Sequence, residues 1–162
     1  MNKAQLVTVV SVAGVDRITK YLVTQHIPVN ENFEVIPGFF RLTHLQNPGG
    51  AFVLFAASTS RWRAPALIVF SMAALAIIFV LLWRNRRTNV HTVALSLILG
   101  GAIGNLWDRL VSGSVTDFID FYLDSHHWYP FNIADSAIVA GAMLLLKGIF
   151  LVQQEKKPGN MG

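Results

Sequence analysis

Two aspartates, Asp117 and Asp135, lie at the ends of long apolar segments, where an ionisable side chain is unfavourable. Asp117 follows one such segment, and Asp135 comes just inside the start of the next. A charged side chain at membrane depth costs about 2.5–3.5 kcal/mol even on lenient insertion scales, so such residues are usually kept for a function. Two carboxyl groups that face one site can share a proton and activate water. Their chemistry suits the hydrolysis of a peptide bond.

The neighbours of these aspartates leave simpler explanations open. Asp117 lies about one turn beyond a predicted helix end, and Asp120 and Asp124 follow it in a predicted loop. Because a solvated loop acid is the usual case, composition alone does not choose among these three. Asn132 is a good N-cap, which places Asp135 at the third helical position, where a plain capping role would also explain it.

The composition indicates a membrane protein. Of the 162 residues, 53% are hydrophobic and 14% are charged, whereas a soluble domain has about 25% charged residues. The isoelectric point near 9.8 does not indicate nucleic-acid binding, because the basic residues lie at the ends of apolar segments rather than in one stripe. The absence of cysteine excludes disulfides and thiolate metal sites.

Four apolar segments are long enough to cross a hydrocarbon core of about 30 Å as helices. They are residues 4–23, 65–83, 90–110 and 133–152. Only helices fit such segments, because an open sheet edge in lipid leaves backbone groups unpaired. We predict an all-α membrane protein, a single integral membrane domain over residues 1–162 with four transmembrane helices and a polar tail over 153–162.

The distribution of basic residues predicts the orientation. Six of them flank the segment ends on one side and three lie on the other. The six are Lys3, Arg84, Arg86, Arg87, Lys156 and Lys157, and the three are Arg41, Arg61 and Arg63. Because basic loops stay in the cytoplasm, both termini are predicted to be cytoplasmic, and both key aspartates lie near the outer face.

The outer loop between the first two helices, residues 28–64, carries turn signals. Pro37 and Gly38 predict a turn between two short runs of β-forming residues. We therefore predict a small extracytoplasmic β element between helices 1 and 2. Residues 47–50, Asn-Pro-Gly-Gly, predict a second turn that can bring backbone close to a ligand.

The first helix carries charges within its apolar run. Asp16 and Lys20 are four residues apart with the acid first, which is the favourable order for an ion pair on one helix face. A structural pair that neutralises two buried charges is one interpretation, and a direct role with the substrate is the other.

The third helix carries small and polar residues together. Gly100 and Gly104 predict close approach of a neighbouring helix. Asn105, Asp108 and Arg109 share one polar sector, and Gly113 ends the helix. For Asp108 a buried network that fixes helix packing is the favoured interpretation. Arg109 has two open roles, a structural one and the binding of peptide carbonyls or lipid head groups.

Other chemistries have weaker support. Adjacent histidines such as His126 and His127 point in different directions, and no spaced third ligand accompanies them, so we predict no metal site. Ser112 and Ser114 lack an evident basic partner, which disfavours a serine protease.

Five ordered motifs lie along the chain: VDRITK at 15–20, NPGGAF at 47–52, GGAIGNLWDR at 100–109, VTDF at 115–118 and FNIADS at 131–136. Taken together, they resemble the lipoprotein signal peptidase family (signal peptidase II), the membrane aspartyl peptidases of bacteria. The resemblance covers nearly the whole chain. One departure is Gly50, where the family often has alanine.

The resemblance implies the site and the substrate. Asp117 and Asp135 would be the catalytic pair, and Asp16, Lys20 and Asp108 would support the fold or the site. The substrate-binding residues would be Asn47, Gly50, Asn105, Arg109 and Asn132. The substrate would be a prolipoprotein cleaved just before a diacylglyceryl-modified cysteine, and globomycin, a cyclic peptide, would inhibit the enzyme. We expect a monomer without a cofactor, in contact with lipids of the bacterial inner membrane.

Paired carboxylates suggest a mechanism, and acids inside a bundle leave alternatives open. Asp135, near a helix N-terminus, is expected to be the resting carboxylate and Asp117 to hold the shared proton.

A proton-coupled transporter would also place acids in a helical bundle, although it usually needs more than four spans. A non-catalytic subunit of a membrane complex is the third interpretation.

Overall fold

The computed structural model describes residues 1–49 and 63–155, which form four long helices and four β-strands. The helices are α1 (Lys3–His26), α2 (Arg63–Arg84), α3 (Val90–Ser112) and α4 (Ile133–Glu155). The strands are β1 (Asn32–Ile36), β2 (Phe40–Asn47), β3 (Val115–Leu123) and β4 (His126–His127). Each of the four predicted segments lies within one helix. The polar tail was predicted to begin at residue 153, but α4 continues to Glu155, and residues 156–162 lie outside the described ranges.

Local capping interactions fix the helix ends. The Asn2 side chain accepts a hydrogen bond from the Gln5 backbone, and the Gln5 side chain accepts one from the Asn2 backbone. Asn89 and Thr92 form the same reciprocal arrangement at the start of α3. Gly113 ends α3 with a φ of 75°, in the left-handed region that glycine adopts without strain. The predicted helix end is confirmed.

Helix α3 lies at the centre of the bundle and packs against α1, α2 and α4. A methyl group at Gly101 would overlap the backbone carbonyl of Ala134 in α4. Gly100 and Gly104 face Val12 and Asp16 of α1. The predicted close approach at these two glycines is confirmed, and it brings polar groups on three helices within reach of one another.

The predicted β element is present but larger than expected. The β1–β2 hairpin turns at Pro37 and Gly38, as predicted. However, β2 also pairs with β3, which follows α3, and the antiparallel sheet has the order β1-β2-β3-β4. The prediction that Asp120 lies in a loop is therefore wrong. Asp120 is buried in β3 and accepts a hydrogen bond from Arg41 Nε at 2.7 Å.

The apolar helices expose many large side chains. Among the described residues, α2 and α3 are long and apolar enough to cross a membrane. Val69 and Ile77 of α2 are each more than 60% exposed, which suits a lipid-facing surface. Helix α1 differs because Asp16 and Lys20 interrupt its apolar run.

Candidate active site

Asp117 and Asp135 lie at the sheet end of the helical bundle. Asp117 is the third residue of β3, opposite Leu45 of β2, and it is 3% exposed. Asp135 lies in the first turn of α4. The segment that follows α3 and the segment that precedes α4 meet here, because Phe131 pairs with Ile119 of β3. This pairing brings the two carboxyl groups to one site.

Asn132 contacts both aspartates. Its side-chain Nδ2 donates to Asp117 Oδ1 at 2.7 Å, and its Oδ1 accepts from the backbone N–H of Asp135 at 2.9 Å. Its own backbone N–H donates to Asp135 Oδ2 at 3.3 Å. The predicted N-cap is confirmed, and this fully buried residue also fixes one carboxyl group relative to the other.

Each carboxyl group has a further amide donor from a different element. Asn47 Nδ2, at the end of β2, donates to Asp117 Oδ2 at 2.8 Å. Asn105 Nδ2, in α3, donates to Asp135 Oδ1 at 2.7 Å. Three predicted asparagines therefore surround the two acids, and all four carboxyl oxygens accept a hydrogen bond.

Burial raises the pKa of the Asp117 carboxyl from its ordinary 3.8 to about 6. Loss of solvation is the largest cause, because the charged form loses its contact with water. The nearby Asp135 carboxylate raises the pKa further, while the amide donors of Asn47 and Asn132 lower it. A carboxyl group with such a pKa can hold and release a proton near neutral pH.

A buried cation lies behind the two acids. Lys20 Nζ lies 2.8 Å from Asp16 Oδ2, 2.8 Å from Asp108 Oδ2 and 3.0 Å from Asn105 Oδ1. The ammonium group donates a hydrogen bond to the Asn105 oxygen and forms ion pairs with both carboxylates. The predicted Asp16–Lys20 ion pair is confirmed, and Asp108 joins it. Arg17 also approaches Asp108, at 3.6 Å.

The same charge cluster holds the start of α4. Asp16 Oδ1 accepts from the backbone N–H of Ala134 at 2.8 Å, one residue before Asp135. Because Lys20 engages the Asn105 carbonyl oxygen, the Asn105 NH₂ group faces Asp135. Helix α1 thus positions Asp135 through the backbone of α4 and through the side chain of α3.

A cavity of about 500 Å³ reaches both aspartates. Its apolar walls come from α2, α3 and α4, and they include Leu67, Phe70, Ala74, Ile78, Ile98 and Ile138. Arg109 also lines it, with Nη1 donating to the Asn105 backbone carbonyl at 3.2 Å. Arg109 Nε is buried and has no hydrogen-bond partner among the described residues. The cavity therefore combines two acids, a cation and an extended apolar surface.

Sequence reasoning missed part of this site. Trp128 and Tyr129, to which the sequence assigned no role in the site, line the same cavity as Asp117. Of the three acids that composition did not separate, only Asp117 lines the cavity, while Asp124 lies in a turn after β3 with a φ of 52°. The β-branched and aromatic residues of 115–123 were the available signal for β3. Gly50 lies outside the described residues.

Comparison with known proteins agrees with this architecture. The family model Peptidase_A8, described as signal peptidase (SPase) II, matches residues 8–151. A lipoprotein signal peptidase of Solibacter usitatus is 45% identical over 149 residues, which are 91% of this chain and 90% of that protein. One from Desulforapulum autotrophicum is 44% identical over 83% of this chain and 84% of its own.

Solved structures agree as well. One described as a bacterial membrane enzyme is 29% identical, with a TM-score of 0.80 over 90% of this chain and 92% of its own. A second, described in the same words, has a TM-score of 0.80 at 26% identity and covers 98% of this chain and 94% of its own. These likenesses do not support the transporter or complex-subunit alternatives.

Proposed function

This chain belongs to the signal peptidase II family, and from that premise we propose that Asp117 and Asp135 are its catalytic pair. Its activity is that of the family, a protease that removes signal peptides from prolipoproteins. The observation that carries the proposal is Asn132, which hydrogen-bonds the side chain of Asp117 and both the side chain and backbone of Asp135. One buried amide thus holds two acids against one cavity.

The mechanism uses one proton shared between the two acids. Asp135, near the N-terminus of α4, is the carboxylate that accepts a proton from water as the water oxygen attacks the scissile carbonyl. Asp117, whose pKa is raised to about 6, holds the other proton and hydrogen-bonds the carbonyl oxygen. When the tetrahedral intermediate collapses, the C–N bond breaks and the amine leaves with a proton from Asp135.

The polar residues of the cavity orient the substrate peptide. Arg109 has a buried Nε without a partner among the described residues, so it offers a donor that can orient a peptide carbonyl. Asn47, Asn105 and Asn132 hold the two acids through their hydrogen bonds, and Asn47 and Asn105 also line the cavity in which the peptide binds. Gly50, three residues after Asn47, is proposed as a substrate-binding residue on the sequence argument alone.

Asp16, Lys20 and Asp108 act through the fold rather than on the substrate. Their charges are directed at one another and at Asn105, and none of the three lines the cavity. We assign them the role of fixing Asp135, which is consistent with their almost complete burial.

The chain is a membrane protein, and we place it with four transmembrane helices in the bacterial inner membrane as a monomer surrounded by lipid. Both termini are cytoplasmic, and the site lies near the outer face, in accord with the basic residues around Arg86 and Arg87. Cleavage falls just before the diacylglyceryl-modified cysteine, whose acyl chains stay on the apolar wall. Globomycin, a cyclic peptide, competes for this cavity.

Cleavage by the purified protein tests this function. The protein, in detergent or in bilayers, receives a synthetic precursor with a diacylglyceryl-modified cysteine and a matched precursor with an unmodified cysteine. We expect release of the signal peptide from the first, a strong preference for it over the second, and no effect of metal chelators. Failure to cleave the lipid-modified precursor in a folded preparation would overturn the proposed function.

A further inference from the structure

Ser71 of α2 lines the cavity and places a hydroxyl group within its apolar wall. Its neighbours on that face of α2 are Leu67, Phe70, Ala74 and Ile78. A hydroxyl group in apolar surroundings has an unfavourable free energy unless it finds a hydrogen-bond partner. The position of Ser71 in this wall therefore needs a physical reason.

Most hydroxyl groups on the helices have a partner of their own. They donate to the backbone carbonyl three or four residues earlier, as serine and threonine commonly do in membrane helices. The clearest cases are Thr8, Thr19, Ser96, Ser112 and Ser136, with distances of 2.7 to 3.0 Å. No such bond joins Ser71 to the described residues. Its hydroxyl is available to a ligand in the cavity.

The position of Ser71 along α2 indicates the chemical groups that such a ligand would carry. Leu67 contacts Gly49, two residues after Asn47, which holds Asp117. Ser71 lies one helical turn further from the sheet, about 6 Å along α2 at 1.5 Å per residue. Beyond it the wall is formed by Ala74 and Ile78. A ligand that extends from the two aspartates along this wall would match it with a polar group at the aspartates and one hydrogen-bond acceptor near Ser71. The part of the ligand that contacts Ala74 and Ile78 would be a hydrocarbon chain.

We infer that Ser71 donates a hydrogen bond to an ester carbonyl of the diacylglyceryl group on the substrate cysteine, and so favours ester-linked chains. This inference rests on the proposed function. An ester carbonyl accepts but cannot donate, and it lies a few bonds from the cysteine sulfur, between the peptide and the acyl chains. The Ser71 hydroxyl thus satisfies an acceptor that would otherwise be unpaired in an apolar cavity.

Two precursors with the same peptide separate this role from simple packing. One carries two ester-linked acyl chains on its modified cysteine, and the other carries two ether-linked alkyl chains of matched length without the carbonyls. We expect wild-type kcat/KM to be about three- to tenfold higher for the ester precursor, as one net hydrogen bond allows. Ser71→Ala should lower kcat/KM for the ester precursor by that factor and leave the ether precursor unchanged.

Ser11→Ala is the matched control. Ser11 is an exposed serine of α1 that does not line the cavity, so its variant should keep the wild-type preference. Equal wild-type rates for the two precursors would overturn the inference, and so would an unchanged preference in Ser71→Ala. Both results leave the proposed function intact, because the precursors are still cleaved. Only a wild-type protein that cleaves neither precursor contradicts the proposed function itself.

Discussion

The Lys20 ammonium lies 3.0 Å from the side-chain carbonyl oxygen of Asn105. This contact turns the Asn105 NH₂ group toward Asp135, to which it donates at 2.7 Å. Lys20 also forms ion pairs with two buried carboxylates, so it offsets their charge and sets the direction of an amide in the site. The Lys20 ammonium group therefore helps to position the hydrogen-bond donor of Asp135.

Replacing Lys20 with methionine should destabilise the protein strongly. The change leaves Asp16 and Asp108 buried without their shared cation, and breaking a buried ion pair in this way costs about 3–5 kcal/mol. We expect a lower yield of folded protein and a lower thermal midpoint in detergent. Lys147→Met, at an exposed position of α4, is the control and should behave like the wild type. A Lys20→Met protein with an unchanged midpoint would show that the cluster does not stabilise the fold.

Asn132→Ala should reduce catalysis far more than its effect on folding explains. The variant loses a helix cap, which costs about 1 kcal/mol, and it also releases Asp117 from Asp135. We expect at least a hundredfold decrease in kcat, with a moderate decrease in thermal midpoint. Asn89→Ala removes the cap of α3 away from the site and should cause a similar decrease in midpoint with near-normal turnover. Comparable turnover in the two variants would mean that Asn132 is only a cap.

Asp117 should make stability depend on pH in a defined direction. Its pKa is raised to about 6 in the folded protein from about 3.9 in an unfolded chain, so the folded state binds the proton more tightly. This contribution is fully present below pH about 4 and is lost as the pH rises through 6, on the order of 2–3 kcal/mol in total. The Asp117→Asn variant lacks this pH-dependent contribution to stability, because asparagine does not titrate.

Thermal midpoints of wild type and Asp117→Asn between pH 4.5 and 7.5 test this linkage. Relative to the variant, the wild type should lose stability as the pH increases, with most of the change complete by about pH 7. Parallel curves for the two proteins would contradict the raised pKa of Asp117.

Local rules of sequence predicted much of the site. The Asp16–Lys20 pair follows from helical spacing, the Asn132 cap from its position before an apolar run, and the end of α3 from Gly113. Each depends on residues within one turn of one another. The resemblance to a family then assigned the roles that spacing left open, and it selected Asp117 from three nearby acids.

Interactions between distant segments could not be predicted in this way. Strand β3 exists because it pairs with β2, which lies some 70 positions earlier, with Leu45 opposite Asp117. That pairing buries Asp120 against Arg41, although both residues look like ordinary surface charges in the sequence. The role of Lys20 toward Asn105 likewise depends on the packing of α1 against α3, which no local pattern gives.

Turnover by the purified variants Asp117→Asn and Asp135→Asn, with the lipid-modified precursor as substrate, tests the shared-proton mechanism most directly. Asp124→Asn is the matched control, because it makes the same change in an exposed turn after β3, where asparagine tolerates the positive φ. With all three variants folded by thermal midpoint, we expect Asp124→Asn to match wild type and each of the other two to lose about 10⁴-fold or more in kcat. Turnover within tenfold of wild type by either Asp117→Asn or Asp135→Asn would contradict the account.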